Sequence, residues 1–327
     1  MSTFEGLPQA YVDNLRGLLF DATYRNSPRG FASKEEVGVT FKITDPLQRL
    51  VLCPTRRSNL AFNFAECLWY LCGRNDLEFL AYYAPTVRKY SADGLTLTGT
   101  AYGPRLFQMG VGQVDQWQSV RRTLDSDPDS KRAVVQIFQP EELLVEDNID
   151  VACTLALQFL IRDHRLELVA FMRANDAYRG ILSDIFSFTL IQEVMARQLG
   201  LEVGHYTHMV GSMHLYEPDE SRAFELLSRA DATQSEPMPS MPSGDPFPDI
   251  RMVASIEQSL RRNSQRLMPA DLDELALPVY WKQVVAVFEA YRCVRYGDEA
   301  GAVMSYLQPT YRALLANRFE HLARVTL

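Results

Sequence analysis

The stretch TLALQFLIRDHRLELVAFM, residues 154–172, decides the fold. Apolar and polar residues alternate on both sides of Arg162-Asp163-His164-Arg165, the period-2 pattern of strands with one buried face. The charged tetrapeptide between them has room only for a tight turn, so the segment predicts an antiparallel strand pair. Cys153 then stands just before the first strand, and Arg173, in the following MRANDAYRG, just after the second.

Helices flank this hairpin. RSNLAFNFAECLWYLCG (57–73) has Ser58 as a candidate N-cap, Leu60, Phe64, Leu68 and Leu71 at helical spacing, Gly73 as a stop, and one acid, Glu66, in its apolar half. SDIFSFTLIQEVMARQLG (183–200) predicts a helix capped by Ser183 and ended by Gly200, with Ile185, Phe188, Ile191, Met195 and Leu199 on one face and Asp184 at its positive end. The Pro-rich run from 235 to 251 reads as a connection, and an amphipathic helix, LPVYWKQVVAVFEAYRCVRYG, follows it. The expected architecture is therefore an α+β core over 1–235, with a mixed sheet packed against helices, and a helical C-terminal extension over 236–327.

With 47% hydrophobic and 23% charged residues over 327 positions, the chain has the composition of a folded protein with a sizeable core. A net charge of −8 argues against a nucleic-acid surface, although a few arginines in one pocket can still hold a small anion. No basic leader precedes an apolar run and no segment is apolar enough to span a bilayer, so a cytoplasmic protein without a membrane partner is expected. Cys53, Cys67, Cys72, Cys153 and Cys293 form no C-x-x-C pair, and His205, His208 and His214 lack the company of a zinc set, so no metal is expected. Neither a dinucleotide fingerprint nor a P-loop is present.

Taken one at a time, the polar residues have ordinary structural roles. A free cysteine is usually a small buried hydrophobe. Arg173 can pair at the surface, Asp184 can cap a helix, Glu66 can pair with an arginine, and Lys131 with Arg132 can be a solvated pair. Their order along the chain carries more. AECLWYLCG with Glu66 and Trp69, TAYGPR with Tyr102 and Gly103, DSKRAVVQIFQP, ACT with Cys153, MRANDAYRG leading to SDIFS, and GSMHLYEPD together resemble the thymidylate synthase superfamily over roughly residues 20 to 220.

The resemblance implies a homodimer. It places the nucleophile at Cys153, nucleotide phosphate on Arg29 or the nearby Arg25, on Arg173, and on Lys131 and Arg132 of the other subunit, and sugar contacts on His214 and Tyr216. It implies 5,10-methylenetetrahydrofolate as co-substrate, with Glu66, Trp69 and Asp176 on its side of the site. Departures refine this. Where the synthases have an asparagine, this chain has Asp184; an ionised carboxylate only accepts, which suits the N4 amino group of cytosine, and N3 once protonated, better than the uracil edge. Ala174 replaces a serine and Lys131 an arginine, which reshapes phosphate seating and leaves room for a ribose 2′-hydroxyl. Arg88 falls near a position the synthases fill with tryptophan, so water has easier access. Cys153 is flanked by Ala152 and Thr154 rather than by the family's proline and histidine.

The combination resembles the pyrimidine nucleotide hydroxymethylase branch, in particular members acting on CMP in nucleoside-antibiotic pathways. The expectation is a cytidylate 5-hydroxymethylase with catalytic Cys153, Glu66 and Asp184, Arg173 favouring the thiolate. A dCMP hydroxymethylase, a reductive C5-methylase using folate or flavin, and a non-catalytic nucleotide-binding homologue are the alternatives. A cysteine hydrolase is less attractive because no histidine is evidently placed as its base.

Overall fold

The computed structural model describes residues 1–229 and 236–323. Among the described residues seven strands form one mixed sheet: β1 (Ser2–Phe4), β2 (Tyr24–Asn26), β3 (Ser33–Ile43), β4 (Val134–Gln136), β5 (Thr154–Arg162), β6 (Arg165–Asp176) and β7 (Glu202–Tyr216). Their order is β1-β3-β7-β6-β5-β4, with β2 on β3. β6 runs parallel to β7 and antiparallel to β5.

The hairpin read from alternation is β5–β6, with Arg162 opposite Arg165 and the turn residues Asp163 and His164 in left-handed backbone. Its second strand runs further than expected. β6 reaches Asp176, so Arg173 lies within it, and the Arg173 N–H donates to the Cys153 carbonyl at 2.9 Å, extending the ladder past the β5 start. This pairing holds the cysteine and the arginine side by side.

Helices α1 (Leu7–Asp21), α2 (Leu60–Leu71), α3 (Leu77–Tyr83), α4 (Tyr102–Phe107) and α5 (Gln116–Ser126) come before the hairpin, and α6 (Gly180–Gln198) and α7 (Glu217–Ser228) after it. Asn59 rather than Ser58 caps α2, its side chain accepting from the Phe62 N–H at 3.1 Å. α6 begins three residues before the expected start, so Asp184 lies in its second turn and not at its end. The reason is Asp176, whose Oδ1 accepts the N–H groups of Tyr178 and Arg179 and turns the chain from strand into helix. α6 is also buried on more than the expected face, from Ile181 through Arg197 almost without a break.

The C-terminal helices α8 (Phe247–Arg261), α9 (Pro269–Glu274), α10 (Val279–Tyr296), α11 (Gly301–Tyr306), α12 (Pro309–Arg318) and α13 (Glu320–Ala323) share one apolar core with α2 and α6. The Tyr83 hydroxyl donates to Glu257 of α8 at 2.7 Å, and Phe64 of α2 meets Tyr311 of α12 edge to face. The Pro-rich connection narrows to residues 236–246, because Phe247–Arg251 already belong to α8; Ser235 lies outside the described residues. That connection is anchored by Glu193, which is fully buried, pairs with Arg49 at 2.8 Å and accepts the Met241 N–H at 2.7 Å. Among the described residues no helix is long and apolar enough to cross a membrane.

Candidate active site

Cys153 is exposed, yet its loop is held tightly. The carboxylate of Asp150 accepts the N–H groups of Thr98, Gly99 and Thr100 at 2.8, 2.9 and 2.8 Å. A Cβ on Gly99 would fall 1.9 Å from the Asp150 carbonyl oxygen, so only glycine permits this close crossing. Glu142, paired with the buried Arg105, accepts the Ala152 N–H at 2.6 Å. Arg173 donates from Nε to the Ala152 carbonyl (2.8 Å) and from Nη2 to that of Val151 (3.0 Å), and its Nη2 stands 3.7 Å from the Cys153 sulfur. A thiol and a guanidinium are thereby fixed together at one strand end.

Arg173 does not, however, leave a resting thiolate. Crowding by the surrounding protein raises the Cys153 pKa above its usual 9.0; Asp184 and Asp150 push the same way, and Arg173 and then Arg29 oppose them. Arg173 favours the thiolate as expected, but burial outweighs it and the thiol is the resting form. Of the two arginines left open in the sequence, Arg29, on the turn Pro28–Gly30, is the one whose charge reaches Cys153, while Arg25 lies in β2 opposite Lys34.

Two carboxyl groups approach from α2 and α6. Glu66 is buried and its Oε2 accepts from the Ser187 hydroxyl at 3.0 Å. Burial raises its pKa from 4.5 to about 7, against the lowering effect of hydrogen bonds from Ser187 and Tyr70. Asp184 is held well above the ordinary carboxyl range by burial first, then by Glu66 and Asp176, with only the Asn175 hydrogen bond opposing. Burial and the neighbouring carboxyl groups thus favour the neutral acid at Asp184, the opposite bias to the ionised carboxylate expected from the sequence. A neutral carboxyl both donates and accepts, so it can give O–H to cytosine N3 and accept from N4, and turned over it can also meet uracil.

His214 and Tyr216 stand at the end of β7, ring to ring at 4.9 Å, with Phe31 against Tyr216 at 6.3 Å. Ala174 pairs in register with Ser212 and Asp176 with His214, so the strand ends β6 and β7 line one wall. Trp69, expected on the folate side, has no exposed surface; its indole N–H donates to the Asp76 carbonyl at 3.2 Å and its ring packs in the core. Lys131 and Arg132 are exposed just before β4 and are not among the largest charges acting on Cys153.

Some neighbours escaped the sequence reading. The Tyr102 hydroxyl bonds the Thr154 hydroxyl at 3.1 Å, its ring stacks on Tyr70 at 5.0 Å, and it acts electrostatically on Cys153 and Asp184. The TAYGPR motif pointed to it without assigning a role. Tyr90, in the turn Pro85–Tyr90, acts electrostatically on Tyr216 and Arg179. Asp150 and Glu142 gave no signal, since their partners lie in other loops.

The family model described as thymidylate synthase matches residues 9–250. A deoxyuridylate hydroxymethyltransferase of Bacillus phage SP01 is 32% identical over 231 residues, covering 67% of this chain and 60% of that protein. A protein of the same description from Pseudomonas phage M6 is 31% identical over 241 residues, 73% of this chain and 67% of its own length. The chain therefore spans less than two thirds of the first relative.

Proposed function

Because the chain belongs to the thymidylate synthase family, and its Cys153 stands beside Arg173 within electrostatic reach of Asp184 and Arg29, we propose that it is a homodimeric cytidylate 5-hydroxymethylase. It replaces the C5 hydrogen of CMP by CH2OH, with carbon from 5,10-methylenetetrahydrofolate and oxygen from water. The observation that carries the reading is Asp184, a carboxyl group beside Glu66 and within electrostatic reach of Cys153. A neutral acid there completes both hydrogen bonds of the cytosine edge.

The Cys153 sulfur attacks C6, forming S–C6 and moving the C5=C6 pair onto C5, which becomes nucleophilic. C5 bonds the one-carbon unit; loss of the C5 proton with cleavage of that carbon's bond to the folate nitrogen releases tetrahydrofolate and leaves an exocyclic methylene, to which water adds as S–C6 breaks, restoring the ring and the thiol. Glu66, with a pKa about 7, can both give and take protons near neutral pH and handles the proton of the added water. Methylenetetrahydrofolate, when bound, supplies carbon at the oxidation level of formaldehyde. Asp176 suits it, because Oδ1 serves the N–H groups of Tyr178 and Arg179 and Oδ2 is left to accept from a pterin N–H. Trp69 shapes the core beneath rather than offering a ring surface.

Arg29 and Arg173 hold the phosphate, joined by Lys131 and Arg132 from the second copy; His214 and Tyr216 face the sugar. Partly exposed apolar residues on alternate strand positions, Leu160, Val169, Phe171 and Met209, support a sheet-to-sheet dimer. Ala174 and Lys131 support ribose over deoxyribose by removing a hydroxyl and a planar fork. A second reading, hydroxymethylation of a uracil nucleotide, is favoured by the names of both phage relatives.

The test is covalent trapping. Fluorine at C5 cannot leave as a cation, so 5-fluoro-CMP with methylenetetrahydrofolate should add a stable mass to the Cys153 peptide, and Cys153→Ala should add none. Trapping by 5-fluoro-UMP alone would transfer the account to the second reading.

A further inference from the structure

Behind Asp184 lies a buried polar chain that the reaction outlined above does not use. The Tyr206 hydroxyl is 2.7 Å from His208 Nδ1, and His208 Nε2 is 3.0 Å from the Asn175 amide nitrogen. Asn175 in turn lies beside Asp184 and holds its pKa down. Tyr206 and His208 have no exposed surface and Asn175 almost none. Burial keeps His208 neutral, its pKa lowered to about 3, so one ring nitrogen donates and the other accepts.

That rule exposes a conflict. With the amide nitrogen of Asn175 on Nε2, the imidazole proton must sit on Nδ1 and point at Tyr206, whose own O–H then lacks this acceptor; the buried Asn175 Oδ1 is also without a partner. A half-turn of the carboxamide resolves both. Tyr206 O–H donates to Nδ1, Nε2–H donates to Asn175 Oδ1, and the amide N–H turns to Asp184. A phenol is a better donor than acceptor, which favours the same direction. Gly180 makes room for it, since a Cβ there would lie 2.7 Å from Asn175 Oδ1 and 3.3 Å from Asp184 Oδ2.

We propose that Tyr206, His208 and Asn175 are positioning residues that choose the base: by presenting N–H to Asp184 Oδ2 they make that oxygen the acceptor and leave the other to face the cytosine edge as the donor. The inference rests on the cytosine reading of Asp184. Without the relay, Asn175 can turn its carbonyl to Asp184, which then shows the base an acceptor, the partner of uracil N3–H.

The experiment compares kcat/KM for CMP and UMP, and equilibrium binding of ribose 5-phosphate, in wild type, Tyr206→Phe, His208→Leu and His208→Gln. The CMP-to-UMP ratio should fall at least about tenfold in Tyr206→Phe and His208→Leu, the equivalent of about one hydrogen bond. His208→Gln, which can still donate to Asn175, should keep most of the ratio, and ribose 5-phosphate affinity should not move. If His208→Leu does not fold, Tyr206→Phe, which removes only a hydroxyl, decides. A wild-type preference for CMP that survives in Tyr206→Phe overturns the relay alone, whereas a wild type that prefers UMP overturns both the relay and the cytosine reading.

Discussion

Replacing Glu66 by glutamine keeps the shape of the side chain and an oxygen to accept from Ser187, while abolishing its titration. In the folded protein burial raises the Glu66 pKa from 4.5 to about 7, so the native state holds a proton that the unfolded chain has released. Between those two values the folded state binds more protons, and stability falls as pH rises. Glu66 therefore costs stability above its unfolded pKa, and the cost is fully developed only above its folded one. Going from about pH 5 to about pH 8, that penalty grows by about 2.5 kcal/mol in wild type and is absent in Glu66→Gln. Loss of the like-charge effect on Asp184 acts in the same direction.

Urea unfolding of both proteins at the two pH values isolates the effect, because titrating groups other than Glu66 and its neighbour Asp184 cancel in the difference between them. Glu66→Gln should gain about 2.5 kcal/mol relative to wild type on going to the higher pH, and should lose turnover at both. A stability difference that does not change with pH would refute the claim that burial governs this carboxyl group, and with it the assignment of Glu66 as a proton carrier near neutrality.

Other expectations follow from the geometry. Glu193→Gln strips the fully buried Arg49 of its counter-ion and should cost about 3–5 kcal/mol in equilibrium unfolding, far more than a surface pair would. Cys153→Ala should abolish turnover while nucleotide affinity, measured by calorimetry, changes little. Asp150→Asn turns one of three accepted backbone N–H contacts towards a donor and should lower kcat through a looser Cys153 loop, with a stability loss of about 1–3 kcal/mol by thermal unfolding. Mixing inactive Cys153→Ala with inactive Arg132→Ala should restore activity if Arg132 serves the other copy's site, and the mixture should stay inactive if it serves its own.

Much of the architecture was legible because it rests on short-range pattern. The β5–β6 hairpin follows from alternation about a charged turn, and α2 and α6 follow from helical spacing. The misplaced boundaries share a cause: a side chain acts on backbone two or three residues away in a way composition does not specify. Asp176 starts α6 early, Asn59 caps α2 in preference to its neighbour Ser58, and strand pairing with the Cys153 carbonyl carries β6 past Arg173. Cys153, Arg173, Glu66 and Asp184 are singled out as candidates by ordered motifs. Their protonation is not, since it depends on burial and on which carboxyl groups the fold brings together. Asp150 with residues 98–100, and Tyr206 with His208 and Asn175, are long-range or same-face pairings that no linear spacing announces.

The central claim is tested most directly by supplying methylenetetrahydrofolate with CMP, dCMP, UMP or dUMP labelled with tritium at C5, and measuring tritium release together with product mass. Release from CMP with a gain of CH2O is the predicted result. Release confined to a uracil nucleotide, or a product heavier by CH2 only, would contradict it.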